Sequence, residues 1–268
     1  MHPFDIAMAL TPVGDDRFHG ATSPAYANMV GPFGGTTGAV LLQSALQHPA
    51  RLGHPIALTV NFASALADGE FEIEARAVRT NRSTQHWIME LRQNGEVAAT
   101  ATAVFAQRRE TWSAAEAVAP ADLPPAEALA RPDTAMRPPW VRCYDMRFIE
   151  GGLPEAFDGQ ERADSKTAFW VRDEPPRPLD FPSLAALCDS FFPRIFIRRR
   201  RPTPIGTVSL TTYFHADDAM LAAQGERSVL GTARALNFRN GYFDQSAEVW
   251  STERHLLAST HQIVYFRD

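Results

Sequence analysis

The sequence predicts an α+β fold in which one architectural unit occurs twice along the chain. Two short runs mark the repeat: LTVNF at 58–62 and LTTYF at 210–214 each follow an apolar helical stretch and precede several alternating segments. Each half also closes on a similar β-branched and aromatic run, VAATATAVF ending at Phe105 and LLASTHQIVYF ending at Phe266. Between the halves, residues 108–139 are rich in Ala and Pro and poor in large apolar side chains, as expected of an extended connection over a surface. The organisation read from these features is an N-terminal unit over 1–107, a linker over 108–139 and a C-terminal unit over 140–268.

In the first half, Gly31-Pro32-Phe33-Gly34-Gly35 turns into TTGAVLLQSALQH, where Val40, Leu41, Ser44 and Ala45 recur at helical spacing. Segments 56–62, 71–78, 84–91 and 97–107 alternate or are β-rich, and Asn94-Gly95 supplies a hairpin turn. Read in order, they predict a four-stranded antiparallel meander. The second half repeats the plan: a helix starting near Pro182 with Leu184, Leu187 and Phe191 on one face, then strands over 207–214, 228–237, 243–251 and 256–266, with a turn at Asn240-Gly241. Every apolar sheet face needs a covering layer. A sheet curled around one long central helix, made twice and joined edge to edge, meets both requirements. This is a double hot-dog: two tandem units, each with a central helix wrapped by an antiparallel β-sheet.

Composition narrows the functional classes. With 45% hydrophobic and 10% aromatic residues over 268 positions, the chain can bury a sizeable core. A net charge of −5 argues against a general nucleic-acid binder, which needs a strongly basic face. The opening residues, MHPFDIAMALTPVG, have neither a cationic stretch nor a sustained apolar one, and no apolar run approaches the roughly 20 residues of a membrane helix. A cytoplasmic protein without membrane partners is expected. Cys143 and Cys188 are too few for a disulfide framework or a four-cysteine zinc site, and both read as buried thiols. The sole lysine, Lys166, follows no glycine-rich loop, and GxSxG, HExxH and GxGxxG are all missing.

FHG at 18–20, GPFGG at 31–35, VRTNRSTQHWIMELRQNGEVAATATAVF at 78–105, LCDSFFP at 187–193, GTVSLTTYFHA at 206–216 and WSTERHLLASTHQ at 250–262 together resemble the acyl-CoA thioesterase II type (TesB-like) double hot-dog family. The resemblance spans most of the chain outside the linker. It implies hydrolysis of an acyl-CoA to free acid and CoA, a place in lipid metabolism, no cofactor or metal, and association into a homodimer or larger homo-oligomer. It also implies that Asp189 in LCDSF, Thr207 in GTVSL and Gln262 in STHQI hold the attacking water. Two segments depart from the family pattern: Ser209-Leu210 stands where an Asp-His pair is frequent, and Asn81-Arg82-Ser83 replaces a Gly-Arg-Ser turn.

Thioester hydrolysis needs a positioned water, a proton acceptor and donors for the oxyanion. Asp189 suits the base role, and its neighbours Leu187, Cys188, Phe191 and Phe192 tend to bury it. Gln262, a neutral amide among Ile263, Val264 and Tyr265, needs a buried partner. Thr207 reads equally as an ordinary strand threonine. The amides at Gly34 and Gly35 open a helix and offer an oxyanion or substrate-binding site, although a fold-required turn explains the same glycines. Arg198, Arg199, Arg200 and Arg201 suit the phosphates of CoA, or form a solvated loop that steers anions. His261 neighbours Gln262 but faces the other side of a regular strand, and His215 closes its own strand run. The rival readings are a non-catalytic acyl-thioester or fatty-acid binding protein and an acyl-thioester hydratase or dehydratase, which wants an Asp and a His converging on the acyl chain.

Overall fold

Among residues 1–267, which the computed structural model describes, thirteen strands form one continuous antiparallel sheet. A short α1 (Pro3–Ala7) leads into β1 (Thr11–Pro12) and β2 (Arg17–Ala21). The central helix α2 (Gly34–Leu46) follows, then β3 (His54–Phe62), β4 (Glu70–Thr80), β5 (Thr84–Gln93) and β6 (Glu96–Ala106). The second half runs β7 (Tyr144–Glu150), β8 (Thr167–Asp173), α3 (Phe181–Leu187), α4 (Arg194–Arg199), β9 (Ile205–Phe214), α5 (Asp218–Gln224), β10 (Val229–Arg234), β11 (Phe238–Arg239), β12 (Tyr242–Trp250) and β13 (Leu256–Phe266).

The strand order is β1-β2-β4-β5-β6-β3-β9-β13-β12-β10-β8-β7, with β11 pairing β12 at the side. The two repeated runs meet at the centre. β3 pairs antiparallel with β9, placing Leu58 opposite Thr212 and Val60 opposite Leu210, and the Thr59 and Thr211 hydroxyls bond across the seam at 2.9 Å. This join is the edge-to-edge junction expected of the double hot-dog, and it leaves neither β3 nor β9 as an open edge.

Helix α2 is buried nearly all round, because the sheet covers one side and α3 packs on the other; Leu41, Leu42 and Ala45 are fully enclosed. Truncating Leu41 or Leu42 to Ala in such a setting costs about 2–5 kcal/mol. Gly35 is required by that packing, since a Cβ there would lie 2.6 Å from the Ala186 carbonyl oxygen of α3.

Two expectations are corrected, and two strands are added to the second half. The first half is not a simple meander, because β3 pairs with β6 rather than with β4, so the chain crosses the sheet between them. The second half has no long central helix: α3 ends after seven residues, and the chain turns through 188–193 before α4. Pro193 starts that second helix, since proline tolerates a helix entry but not an interior. Finally, β7 and β8 extend the second half as β1 and β2 extend the first. The buried carboxylate of Asp145 breaks the apolar pattern of β7, and it is balanced by Arg147 at 3.1 Å, Arg131 at 3.4 Å and Arg172 at 3.5 Å.

Residues 108–138 contain no strand and cross the outer face of the second half. There Ala119 and Leu123 pack with Leu230 and Trp250, and the Trp170 indole donates to the Pro124 carbonyl at 2.9 Å. No described helix is long and apolar enough to cross a membrane.

Candidate active site

A cavity of about 410 Å³ opens where the two halves meet, and Gly34, Asp189, Thr207 and Gln262 all line it. Its apolar wall includes Phe33, Phe62, Trp140 and Phe191, with Phe33 stacked on Trp140 at 4.2 Å between ring centres.

Asp189 sits in the turn that ends α3, its amide bonded to the Ala186 carbonyl at 3.1 Å. Its carboxylate is enclosed by protein yet reached from the cavity. Burial pushes its pKa up to about 7, against the opposing pull of hydrogen bonds from Gln262 and the Gly35 amide. A carboxyl poised near neutrality can accept a proton at working pH and return it.

Gln262 projects inward from β13, where burial alternates from Ser259 onward, and is 4% exposed. Its Nε2 donates to Asp189 Oδ1 at 2.6 Å, the buried partner that an amide in an apolar strand requires. His261, one residue earlier, faces outward and bonds Ser246 at 2.9 Å, while His215 bonds Ser259 at 3.0 Å. Among the described residues no histidine lines the cavity.

Thr207 reaches the cavity through a β-bulge. In the β9–β13 ladder Ile263 pairs with Ser209 but Val264 pairs with Thr207, so Val208 is the extra residue and points to solvent. Without the bulge, alternation from inward-facing Leu210 would turn Thr207 to the outer face. Its hydroxyl meets no protein partner among the described residues, leaving it free toward the cavity.

Gly34 and Gly35 begin α2 directly against Asp189. A Cβ at Gly34 would lie 2.8 Å from Asp189 Oδ2, so the residue must lack one for the carboxylate to occupy its place. The positive end of the 13-residue α2 therefore faces a carboxylate, a favourable arrangement for the ionised form. Cys188 is fully buried and its thiol is pushed up to about 12, which removes it as a nucleophile; both cysteines are free.

Arg198, Arg199, Arg200 and Arg201 lie outside the cavity wall, against the loop at 158–161. Arg198 and Arg199 reach Glu161 at 3.5 and 3.4 Å, Arg200 reaches Asp158 at 2.7 Å, and Arg201 lies beside Gly159. Two residues the sequence reading passed over also belong to this region: Gln245, which lines the cavity, and Arg194, wholly buried behind it. Gln245 carries the same signal as Gln262, an amide at an inward position between Phe243 and Ala247. Among the described residues no three His, Cys, Asp or Glu side chains gather as a metal site would require.

Residues 23–106 match the acyl-CoA thioesterase N-terminal domain, and residues 110–266 match the acyl-CoA thioesterase C-terminal domain. The chain belongs to the acyl-CoA thioesterase family. Among solved structures, this thioesterase-family chain is similar to a hot-dog protein of unknown function from Alicyclobacillus acidocaldarius, with 50% identity, a TM-score of 0.94, and 100% of this chain and 99% of that one covered. It also shares its fold with a putative thioesterase II from Thermobifida fusca, at 20% identity and a TM-score of 0.83 over 100% and 98% of the two chains. An acyl-CoA thioesterase II from Mycobacterium marinum has 17% identity and a TM-score of 0.78 over 98% of each. No curated protein matches the chain.

Proposed function

We propose that this protein hydrolyses an acyl-CoA thioester to the free acid and CoA, with Asp189 as general base. The observation that carries the reading is the Gln262–Asp189 hydrogen bond of 2.6 Å, holding a carboxyl pushed up to about 7 at the wall of a cavity with apolar sides. In this reading, a water between Asp189, Thr207 and Gln262 attacks the thioester carbon. Asp189 takes one of its protons as the C–O bond forms. The carbonyl oxygen becomes an oxyanion beside the opening amide of α2 at Gly34, the Gly35 amide being held by Asp189. Collapse of the tetrahedral species breaks the C–S bond, and the proton on Asp189 passes out to the products, CoA thiol and carboxylate.

The thiolate is a competent leaving group, so a single carboxyl can serve both steps. The absence of any histidine from the cavity wall weighs against a hydratase, which wants an Asp and a His together. The test is thiol release from short, medium, long and aromatic acyl-CoAs, with wild type compared with Asp189→Asn. Turnover of one acyl class that collapses in the variant supports the reading. A well-folded wild type inert toward every thioester overturns it in favour of a binding protein.

A further inference from the structure

We propose that Gln245 is a second catalytic donor of this site, an amide N–H that meets the thioester oxygen as it becomes an oxyanion, and that Arg194 is the positioning residue that aims it. The proposal rests on the thioesterase reading above and adds to it a donor from β12.

Gln245 on β12 is the direct cross-strand partner of Gln262 on β13, so the two side chains stand side by side on the inner face. Gln245 is 2% exposed and lines the same cavity. Its Oε1 accepts from Arg194 Nε at 2.9 Å. A guanidinium has only donors, so the oxygen of the amide must face Arg194 and the NH2 group must point away from it. No protein acceptor meets that NH2 among the described residues. Gln262 spends its own Nε2 on Asp189, and the Gly35 amide also leans on that carboxylate. The oxygen of a bound thioester is therefore left with the Gly34 amide alone on the helix side, and Gln245 supplies the second donor.

Arg194 is unusual in its own right. It is wholly buried, and each of its acceptors is neutral: Gln245, the Ser165 carbonyl at 2.8 Å, the Thr167 hydroxyl at 2.6 Å and the Phe192 carbonyl. Burial lowers its pKa to about 9, which leaves it cationic at neutral pH. A buried cation without a counter-ion is costly, and anchoring two carbonyls does not require a charge. A cation bonded to the oxygen of an amide polarises the amide and makes its N–H a stronger donor. The charge thus finds its counterpart only when the oxyanion forms, so the effect falls on kcat rather than on ground-state binding.

Two readouts test this. The first is kcat and KM for Gln245→Met, Gln245→Glu and Arg194→Met against wild type. The second is the infrared carbonyl stretch of a bound ketone analogue of acyl-CoA, in which CH2 replaces the thioester sulfur. The expected result is a loss in kcat of about 10²-fold or more for both Gln245 variants, with KM changed only a few-fold. The lowered carbonyl frequency seen in wild type is lost in Gln245→Met and weakened in Arg194→Met. Gln245→Glu keeps a partner for Arg194, so it reports on the donor even where Arg194→Met fails to fold. A folded Gln245→Met with wild-type kcat, or with an unchanged carbonyl frequency, overturns the proposal. A wild type that hydrolyses no thioester overturns the thioesterase reading alone, because the carbonyl shift still reports whether Gln245 donates. A wild type that does not bind the analogue overturns both.

Discussion

In the first half of the molecule the central helix, α2, runs uninterrupted for 13 residues and is buried on nearly every side. In the second half its counterpart, α3, stops after seven, and the turn that replaces its continuation carries Asp189 and leads to Arg194. The sheets differ in the same way. When the closing runs are aligned on Phe105 and Phe266, Gln262 falls opposite Ala101, and both positions face the core. One copy of the unit thus keeps a full helix and a plain apolar wall, while the other gives up helix length to place a carboxyl, and strand regularity to turn Thr207 inward. The lesson is that duplication supplies two shells but one candidate site, with the first half contributing a helix N-terminus and part of the apolar wall and the second contributing Asp189, Thr207 and Gln262.

The comparison breaks most completely at Asp189. Asp189→Asn is expected to lower kcat by about 10²–10⁴-fold in a thiol-release assay, because the carboxyl proposed to take the proton is gone. Relative to wild type, the same variant should gain stability as pH rises from about 4 to about 7. The folded-state pKa of Asp189, about 7, is above its ordinary value, so the folded chain holds a proton that the unfolded chain releases, and stability contributed by that proton is lost as pH rises through about 7. Urea midpoints of wild type and Asp189→Asn should therefore diverge between about pH 4 and pH 7 and run parallel above pH 7, with the variant the more stable there.

Making the second half resemble the first at Gln262 should cost less. Gln262→Ala, the residue of the other copy, removes the 2.6 Å donor to Asp189; we expect a loss in kcat of about 10²-fold and an acid limb of the pH profile moved upward, since the ionised carboxyl has lost a stabilising bond. A smaller effect comes from the first half's own contribution. Gly34→Ala puts a methyl 2.8 Å from Asp189 Oδ2, and the displaced carboxyl should lower kcat about 10-fold or more with little change in KM. The mildest is Arg198→Ala combined with Arg199→Ala. Both side chains pair with Glu161 outside the cavity, so KM for an acyl-CoA should move by no more than about threefold at moderate salt. A larger rise would assign these arginines to the CoA phosphates after all.

Most of the architecture was legible because it rests on repetition and periodicity. The repeated runs at 58–62 and 210–214 do lie side by side at the seam, and the inward phase of Gln262 follows from the alternation of β13 from Ser259 onward. Less could be read where local chemistry interrupts the pattern. Strand β7 carries a buried, ion-paired Asp145, and α3 ends without a glycine or an internal proline to announce it. The route by which Thr207 faces inward depends on one unpaired residue, Val208, and a bulge of that kind is fixed by the register of two distant strands rather than by any run of sequence. Arg194 was hidden among the arginines that follow it, since only burial separates a lone internal cation from its exposed neighbours.

The most direct test of the account is the pH dependence of kcat/KM for wild type on its best acyl-CoA, measured from pH 5 to pH 9 beside Asp189→Asn. The account predicts an activity that rises with pH through a single ionisation near 7, set by burial of Asp189, and a residual activity in the variant that lacks this ionisation. A wild-type limb retained unchanged in Asp189→Asn would contradict it, and would move the base to another residue.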